Sequence, residues 1–313
     1  TSQKDSLDSM AALVKGKRVV FLAAGTSYHA SLIGVFLLNK LGIEAHTVVA
    51  SEFENFLLID RNTVVIAISQ SGETMDVVTV LKDISEKGAK LVGIVNVPYS
   101  TIQRLSDLSL EIMAGPEICV AATKTFTNQV LLLLALAQKL GFSIDLERIP
   151  EKILQTISEN EDKVKELAGL LAQKLKRRND IFVLGRGMSY PVAREIALKL
   201  KEISYIHAEG MMGGELKHGT IALVEKGTPV ISLIHNNNED MISNTKEVEA
   251  RGARAIVISD TNENAYIRVP ACEDAEFAIY ACIIGHLLSY YLARLRKLPI
   301  DKPRNLAKSV TVK

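Results

Sequence analysis

The run Ser-Gln-Ser-Gly-Glu-Thr at residues 69–74 directly follows the apolar segment "TVVIAI". A strand that ends in hydroxyls, an amide and a glycine offers neutral hydrogen-bond donors and a closely approachable backbone. If a helix follows, its unpaired N–H groups add a partial positive charge that suits a phosphate. An ordinary helix cap is the alternative, because Ser or Thr with Glu nearby is common at helix starts. The phosphate interpretation assigns binding to Ser69, Gln70, Ser71 and Thr74.

A second junction of this kind is "AGTSY" at residues 24–28, which follows the strand-like run "RVVFLA". Thr26 and Ser27 bring further hydroxyls, and two such junctions in one half of the chain strengthen the phosphate interpretation. Neither junction contains the G-x-G-x-x-G of a dinucleotide fold or a Walker sequence, which argues against NAD and ATP. We expect no cofactor and no metal.

The segment "PVAREIALKLKEISY" at residues 191–205 has helical periodicity. A turn of about 100° per residue places Glu195, Lys199 and Glu202 close together at the edge of the apolar face. A carboxylate beside an ammonium can move a proton in a bound substrate. The residues alone equally allow an exposed i, i+3 ion pair, which contributes only about 0.2–0.5 kcal/mol.

Composition narrows the class of protein. The chain has 313 residues, nearly half of them hydrophobic, and a net charge of +1, so we expect two packed domains and no nucleic-acid partner. The three cysteines lack metal-site spacing and favour a reducing, cytoplasmic setting. The N-terminus lacks a signal-peptide pattern, and the apolar run at residues 130–137 is too short to cross a bilayer, so no membrane is expected.

Short β-branched runs alternate with helical patterns, which predicts an α/β fold with parallel sheets flanked by helices in three layers. "VVFLAAGTSYHA" (19–30) matches "IFVLGRGMSYPV" (181–192), and "GAKLVGIVN" (88–96) matches "GARAIVISD" (252–260). The sequence therefore predicts an internal duplication. The predicted divisions are a first subdomain at 1–145, connecting helices at 146–178, a second subdomain at 179–298 and an irregular tail at 299–313.

"SQSGET", "GTSY" and the duplicated halves resemble the SIS (sugar isomerase) family of phosphosugar-binding domains. "ALKLKEISYIHAEG" (197–210), "GGELKHGTIALV" (213–224) and "DKPRNLAKSVTV" (301–312) are more specific. They are similar to the isomerase half of the glutamine-dependent synthases that make glucosamine 6-phosphate from fructose 6-phosphate. The resemblance covers essentially the whole chain, and the glutaminase domain of those synthases is expected to be absent from it.

The resemblance implies a role for each matching residue. Glu202 corresponds to the carboxylate that moves a proton between C1 and C2, and Lys199 to a lysine that assists it. His218, in the glycine-flanked "GGELKHGT", corresponds to a ring-opening histidine donated by the neighbouring subunit. Lys308 corresponds to the lysine that forms a Schiff base, although a lysine near a terminus is usually solvated. The implied sugar-site positions are Val120, Ala122 (where the family often has serine) and Ala307.

The resemblance also implies the partners. Fructose 6-phosphate, glucose 6-phosphate and glucosamine 6-phosphate are the expected ligands, with ammonia supplied by a glutaminase domain outside this chain, and a homodimer is expected. Because "HNNNED" replaces the serine cluster in the second half, we expect one phosphate site per chain, in the first half. The alternatives are a stand-alone glucosamine-6-phosphate deaminase or phosphosugar isomerase, and a noncatalytic phosphosugar-binding regulator.

Overall fold

A computed structural model describes residues 3–55, 59–175 and 180–311. The chain packs as two compact units. Unit 1 contains the residues up to Leu146 together with those from Ala307 onward, and unit 2 contains Glu147–Leu306. Parts of the predicted subdomains, connection and tail lie outside the described residues, namely positions 1–2, 56–58, 176–179 and 312–313.

Unit 1 is built on a parallel sheet with the strand order β2-β1-β3-β4-β5. Its strands are β1 (Arg18–Ala23), β2 (Ala45–Val49), β3 (Thr63–Ser69), β4 (Lys90–Val95) and β5 (Leu108–Glu111). Its helices are α1 (Lys4–Val14), α2 (Gly25–Lys40), α3 (Met75–Ser85), α4 (Thr101–Leu105) and α5 (Lys124–Lys139), with a 3-10 helix at Ala50–Asn55. Every residue of β3 is buried, as expected for a strand covered on both faces.

Unit 2 is built on a second parallel sheet with the order β10-β9-β8-β6-β7. Its strands are β6 (Asp180–Gly185), β7 (His207–Met212), β8 (Pro229–Ile234), β9 (Arg254–Ser259) and β10 (Ile267–Arg268). Its helices are α6 (Ile149–Lys174), α7 (Ser189–Ser204), α8 (Glu239–Glu249) and α9 (Asp274–Leu295). Short 3-10 segments lie at Leu146–Arg148, Glu215–His218 and Thr220–Leu223.

The two sheets confirm the predicted α/β fold and the duplication. Read from the opposite edge, the second order is β7-β6-β8-β9-β10, so β6 takes the place of β1 and β9 the place of β4. These are the strands that the matching sequence strings contain. In each sheet the first strand along the chain lies between the second and the third, so the chain builds the sheet outward in both directions from that strand. Parallel sheets of this kind bind ligands at this switch point, beyond the carboxyl ends of the adjacent strands. In unit 1 that point lies where β1 and β3 end.

Helix α9 is largely buried and packs against α6 and α7. A Cβ on Gly285 would lie 2.3 Å from Cγ1 of Ile196, so a glycine is needed where α7 and α9 approach closely. Among the described residues, α9 is the helix long and apolar enough to cross a membrane by length and composition. Because 72% of its most apolar window is buried within the fold, it has the burial of a core helix.

The helix predicted over residues 191–205 is present as α7, which ends at Ser204. Tyr205 then takes a left-handed conformation, with φ of 52°, and the N–H of the next residue, Ile206, donates to the Leu200 carbonyl at 3.2 Å. Because this turn ends the helix, β7 begins only at His207.

Candidate active site

The hydroxyls of residues 69–74 shape the loop between β3 and α3. Ser69 Oγ accepts the N–H of Gly72 at 3.0 Å and lies 3.0 Å from Thr74 Oγ1. Ser71 Oγ accepts the N–H of Glu73 at 3.1 Å. Thr74 stands at the N-cap position of α3 but makes no side-chain cap hydrogen bond. Instead, the N–H of Met75 donates to the Val310 carbonyl at 3.1 Å. The simple helix-cap alternative is therefore wrong for Thr74.

Gly72 and Glu73 fix the course of this loop. Gly72 has φ of +67°, and a Cβ there would lie 2.0 Å from Ser100 Oγ. Both the backbone conformation and the lack of space for a side chain therefore require glycine. Glu73 Oε1 accepts the N–H of Thr101 at 2.7 Å at the start of α4. That hydrogen bond lowers the pKa of Glu73, so its carboxylate stays ionised at neutral pH.

The second junction lies at the start of α2, after the neighbouring strand β1. Ser27 is buried, and its Oγ accepts the amide of Gln129 at 3.0 Å. Thr26 precedes it and is partly buried. Because β1 and β3 pair in parallel, with Leu22 beside Ala67, both hydroxyl-bearing loops leave the same edge of the sheet.

The C-terminal tail folds onto unit 1. Lys308 Nζ donates to the Cys119 carbonyl at 2.6 Å and to Glu117 Oε2 at 3.3 Å. Ser309 Oγ lies 3.1 Å from Ser71 Oγ, so the tail also contacts the loop after β3. The solvated-terminus alternative is therefore wrong for Lys308, although Ala307 beside it is exposed.

Glu117 is the residue that the sequence reasoning missed. Its side chain is only 3% exposed, and it accepts the N–H of Thr123 at 2.8 Å and the hydroxyl of Thr125. Burial alone would raise the pKa of Glu117, but these hydrogen bonds and the Lys308 ammonium outweigh burial and lower it. The sequence signal that could have identified Glu117 is its position two residues before Cys119, in the string "GPEICVAAT".

Val120 and Ala122 follow in the same loop, and both are partly buried. Neither carries a polar side chain, so any contact with a sugar hydroxyl there has to use the backbone.

In unit 2, Lys199 is buried among carboxylates on α7. Its Nζ lies 3.3 Å from Glu195 Oε1 and donates to Glu202 Oε2. The side chains of Lys199 and Glu195 are 1% and 0% exposed, whereas that of Glu202 is 20% exposed. Burial alone would lower the pKa of Lys199, but the two carboxylates outweigh it and raise that pKa, so the amine stays charged. The group is a buried triad, and the exposed ion-pair alternative is wrong.

Two residues of α9 lie against this triad. His286 Nε2 is 4.0 Å from Glu195 Oε1 and 3.3 Å from Cys282 Sγ. Burial raises the pKa of the Cys282 thiol well above its usual range, so it stays protonated.

His218 ends the 3-10 helix Glu215–His218 and is exposed. Gly219 follows with φ of +146°, which turns the chain sharply after the histidine. Exposure leaves the imidazole accessible to solvent.

The predicted site residues thus fall into two groups. The hydroxyl loops and Lys308 come together in unit 1, whereas Lys199, Glu202 and His218 belong to unit 2. Unit 1 has neutral donors and helix N-termini at one edge of its sheet, and unit 2 has a partly exposed carboxylate beside a buried ammonium. These features are typical of parallel α/β proteins that bind a ligand at the carboxyl ends of their strands.

Comparison with known proteins agrees with this class. The SIS domain profile matches residues 12–139 and 174–279, so the chain belongs to the SIS domain family. The family resemblance predicted from the sequence is confirmed.

The chain is similar to a particular group of curated proteins. It is 44% identical over 315 residues to a glutamine–fructose-6-phosphate aminotransferase [isomerizing] of Thermococcus kodakarensis, covering 94% of this chain and 52% of the relative. It is 41% identical to the protein of that name from Pyrococcus horikoshii, covering 96% and 52%. The chain therefore spans about half the length of the curated relatives it matches.

The fold is also similar to those of solved structures. The C-terminal domain of glucosamine-fructose-6-phosphate aminotransferase from Francisella tularensis superposes with a TM-score of 0.85 at 31% identity, covering 95% of this chain and 90% of that one. A glucosamine-6-phosphate deaminase from Thermotoga maritima superposes with a TM-score of 0.82 at 27% identity, covering 99% and 97%.

Proposed function

We propose that this chain carries the sugar isomerase half of a glutamine–fructose-6-phosphate aminotransferase. In this proposal it binds fructose 6-phosphate and produces glucosamine 6-phosphate when ammonia is supplied by a glutaminase domain. With no ammonia it interconverts fructose 6-phosphate and glucose 6-phosphate. The similarity to the curated relatives and the two groups of side chains support this function.

The observation that carries the proposal is the Lys199–Glu202 pair. A phosphosugar-binding module needs the hydroxyl loops of unit 1 but has no use for a charged lysine at 1% exposure. Burying such charges costs several kcal/mol per ion before their attraction is counted. A partly exposed carboxylate held in orientation by that lysine is what proton transfer between two carbons requires.

We assign the phosphoryl group to Ser69, Gln70, Ser71 and Thr74, with Thr26 and Ser27 at the neighbouring junction. The neutral hydroxyls, the amide and the N-terminus of α3 can all donate to phosphate oxygens. Uncharged donors hold a phosphate without a fixed countercharge, which favours release of the product.

Lys308 is assigned to the carbonyl carbon of the open-chain ketose. Its amine condenses with C2 of fructose 6-phosphate, releasing water and forming a Schiff base, and attack requires the amine to be uncharged at that moment. Ammonia, or water when no ammonia is supplied, then attacks C2 and releases Lys308 as the free amine. Glu117 and the Cys119 carbonyl hold Nζ in place beforehand. Val120, Ala122 and Ala307 are assigned to the surroundings of the sugar chain.

Glu202 is assigned to the proton transfer itself. Its carboxylate takes a proton from C1 and returns it to C2, and Lys199 stabilises the negative charge that develops on the oxygen or nitrogen bound to C2. His218 is assigned to ring opening in the site of a second subunit, which makes the active form a homodimer. The exposure of His218 supports a role outside its own subunit. A cytoplasmic location stays a prediction.

The test is to mix the chain with fructose 6-phosphate, with and without ammonium, and to follow the products by NMR. The proposal expects glucose 6-phosphate without ammonium and glucosamine 6-phosphate with it. Binding without any conversion would favour the noncatalytic regulator. Rapid release of ammonia from glucosamine 6-phosphate, without net synthesis under excess ammonium, would favour the deaminase.

A further inference from the structure

Unit 2 contains a second group of chemically capable side chains that the proposed reaction does not use. His235 follows β8, Asp260 follows β9, and Cys272 lies just before α9. A ring nitrogen, a carboxylate oxygen and the sulfur of these residues all lie within 4.8 Å of one another. Sequence spacing gave no sign of this group, because three separate loops contribute one residue each.

The parallel pairing of β8 with β9 explains why the residues meet. Ile234 pairs with Ser259, so the next residues along each strand, His235 and Asp260, leave the sheet side by side. His235 Nδ1 lies 3.0 Å from Asp260 Oδ2.

Neighbouring groups hold two of these side chains in place. The other carboxylate oxygen of Asp260 accepts the N–H of Asn236 at 2.9 Å. The His235 ring packs against Phe277 of α9, with ring centroids 5.4 Å apart. Outer contacts of this kind orient metal ligands in known sites.

We propose that His235, Asp260 and Cys272 bind one divalent transition-metal ion of the zinc type. A nitrogen, an oxygen and a sulfur ligand together form a set that Zn²⁺ accepts in tetrahedral sites. Bond lengths of about 2.0–2.3 Å place tetrahedral ligand atoms roughly 3.3–3.7 Å apart. The His235–Asp260 separation is already near this range, and Cys272 has to move inward by about 1 Å at most.

The surrounding charges favour a cation. Glu273, Asp274 and Glu276 at the start of α9 all contribute negative potential at Cys272. On binding, the Cys272 thiol releases its proton to solvent and coordinates as the thiolate, and His235 coordinates as the neutral imidazole. The ion would fasten the loops after β8 and β9 to the beginning of α9, which is a structural role separate from the proposed isomerase chemistry.

Cobalt provides a direct test, because a cysteine thiolate bound to Co²⁺ gives a charge-transfer absorption band in the near ultraviolet. The chain, treated with chelator and dialysed, is titrated with Co²⁺ and then with Zn²⁺. The expected result is one equivalent of cobalt with the thiolate band, which zinc displaces. Cys272→Ser should abolish the band, and His235→Gln should weaken metal affinity by at least 10- to 100-fold.

Matched controls separate this site from adventitious binding. Cys119→Ser removes another free cysteine, and His46→Gln removes an exposed histidine paired with Glu44, so both should bind cobalt as the parent chain does. Zinc should raise the melting temperature of the parent chain but not of the Cys272 or His235 variants. If Cys272→Ser does not fold, His235→Gln still decides the matter. No binding by the parent chain, an unchanged band in Cys272→Ser, or an unchanged cobalt affinity in His235→Gln would overturn the proposal.

Discussion

Lys308 Nζ lies 3.3 Å from Oε2 of Glu117, a carboxylate whose side chain is 3% exposed. The two residues are 191 positions apart in the sequence, and the tail has to return to unit 1 to bring them together. A buried carboxylate thus holds the amine that the proposed mechanism uses as its nucleophile.

We expect Lys308 to form a covalent adduct with substrate. Borohydride added to the chain with fructose 6-phosphate should reduce the Schiff base and attach one sugar phosphate to Lys308, detected by mass spectrometry of peptides. Lys308→Met should bind fructose 6-phosphate but remain unmodified. Lys302→Met, which changes an exposed lysine of the same tail, is the control and should still be labelled at Lys308. Labelling of another lysine in the parent chain would contradict the assignment.

Glu117→Gln should misplace the Lys308 amine without removing it. We expect turnover to fall roughly 10- to 100-fold, the size of effect that a displacement of about 1 Å can cause, with little change in phosphosugar affinity. Steady-state kinetics and calorimetric binding measure the two quantities. Glu44→Gln, at an exposed position beside His46, is the control. An equal loss of turnover in both variants would show that Glu117 does not position the Lys308 amine.

The same carboxylate should make stability depend on pH. The pKa of Glu117 is lowered in the folded chain, so its contribution is fully present above the unfolded value of about 4.3 and is lost as pH falls through the folded value. The difference in urea unfolding free energy between the parent chain and Glu117→Gln should therefore shrink on acidification below about pH 4. A difference that stays constant between neutral and acid pH would contradict this linkage.

Lys199→Met should be strongly destabilising, because it leaves the buried Glu195 carboxylate without its cation. Removal of one partner from a buried ion pair costs about 3–5 kcal/mol of unfolding free energy. Adding Glu195→Gln to Lys199→Met removes the unpaired charge and should recover part of that loss. Urea denaturation of the single and double variants measures the effect. A double variant no more stable than Lys199→Met would mean that lost packing, and not unpaired charge, is responsible.

Gly72→Ala should distort the loop between β3 and α3, to which we assign phosphate binding. Gly72 and Gly16 have nearly the same φ, +67° and +69°, but a Cβ on Gly72 meets Ser100 Oγ at 2.0 Å whereas one on Gly16 has no atom within 4 Å. Gly16→Ala should therefore cost only the left-handed strain of about 1–2 kcal/mol. Gly72→Ala should cost more and weaken binding of inorganic phosphate and fructose 6-phosphate. Equal effects in both variants would show that the clash is unimportant.

The sequence predicted the local features well, because they depend on neighbouring residues. The apolar runs and the spacing of α7 were enough for the α/β fold, the duplication and the grouping of Lys199 with Glu202.

Features that depend on distant parts of the chain could not be predicted. Glu117 gains its importance from a tail lysine, and the depth at which Lys199 and Glu195 are buried depends on helix α9 packed over α7. His235, Asp260 and Cys272 meet only because two strands end side by side.

The most direct test of the account compares Glu202→Gln with the parent chain. The substitution keeps the shape of a side chain that is 20% exposed but removes its capacity to carry a proton, so phosphosugar affinity should be unchanged. Conversion of fructose 6-phosphate to glucose 6-phosphate, followed by NMR, should fall by about 10²- to 10⁴-fold. Glu209→Gln, at an exposed position on β7, should convert at the parent rate. Conversion by Glu202→Gln at the parent rate would contradict the central claim.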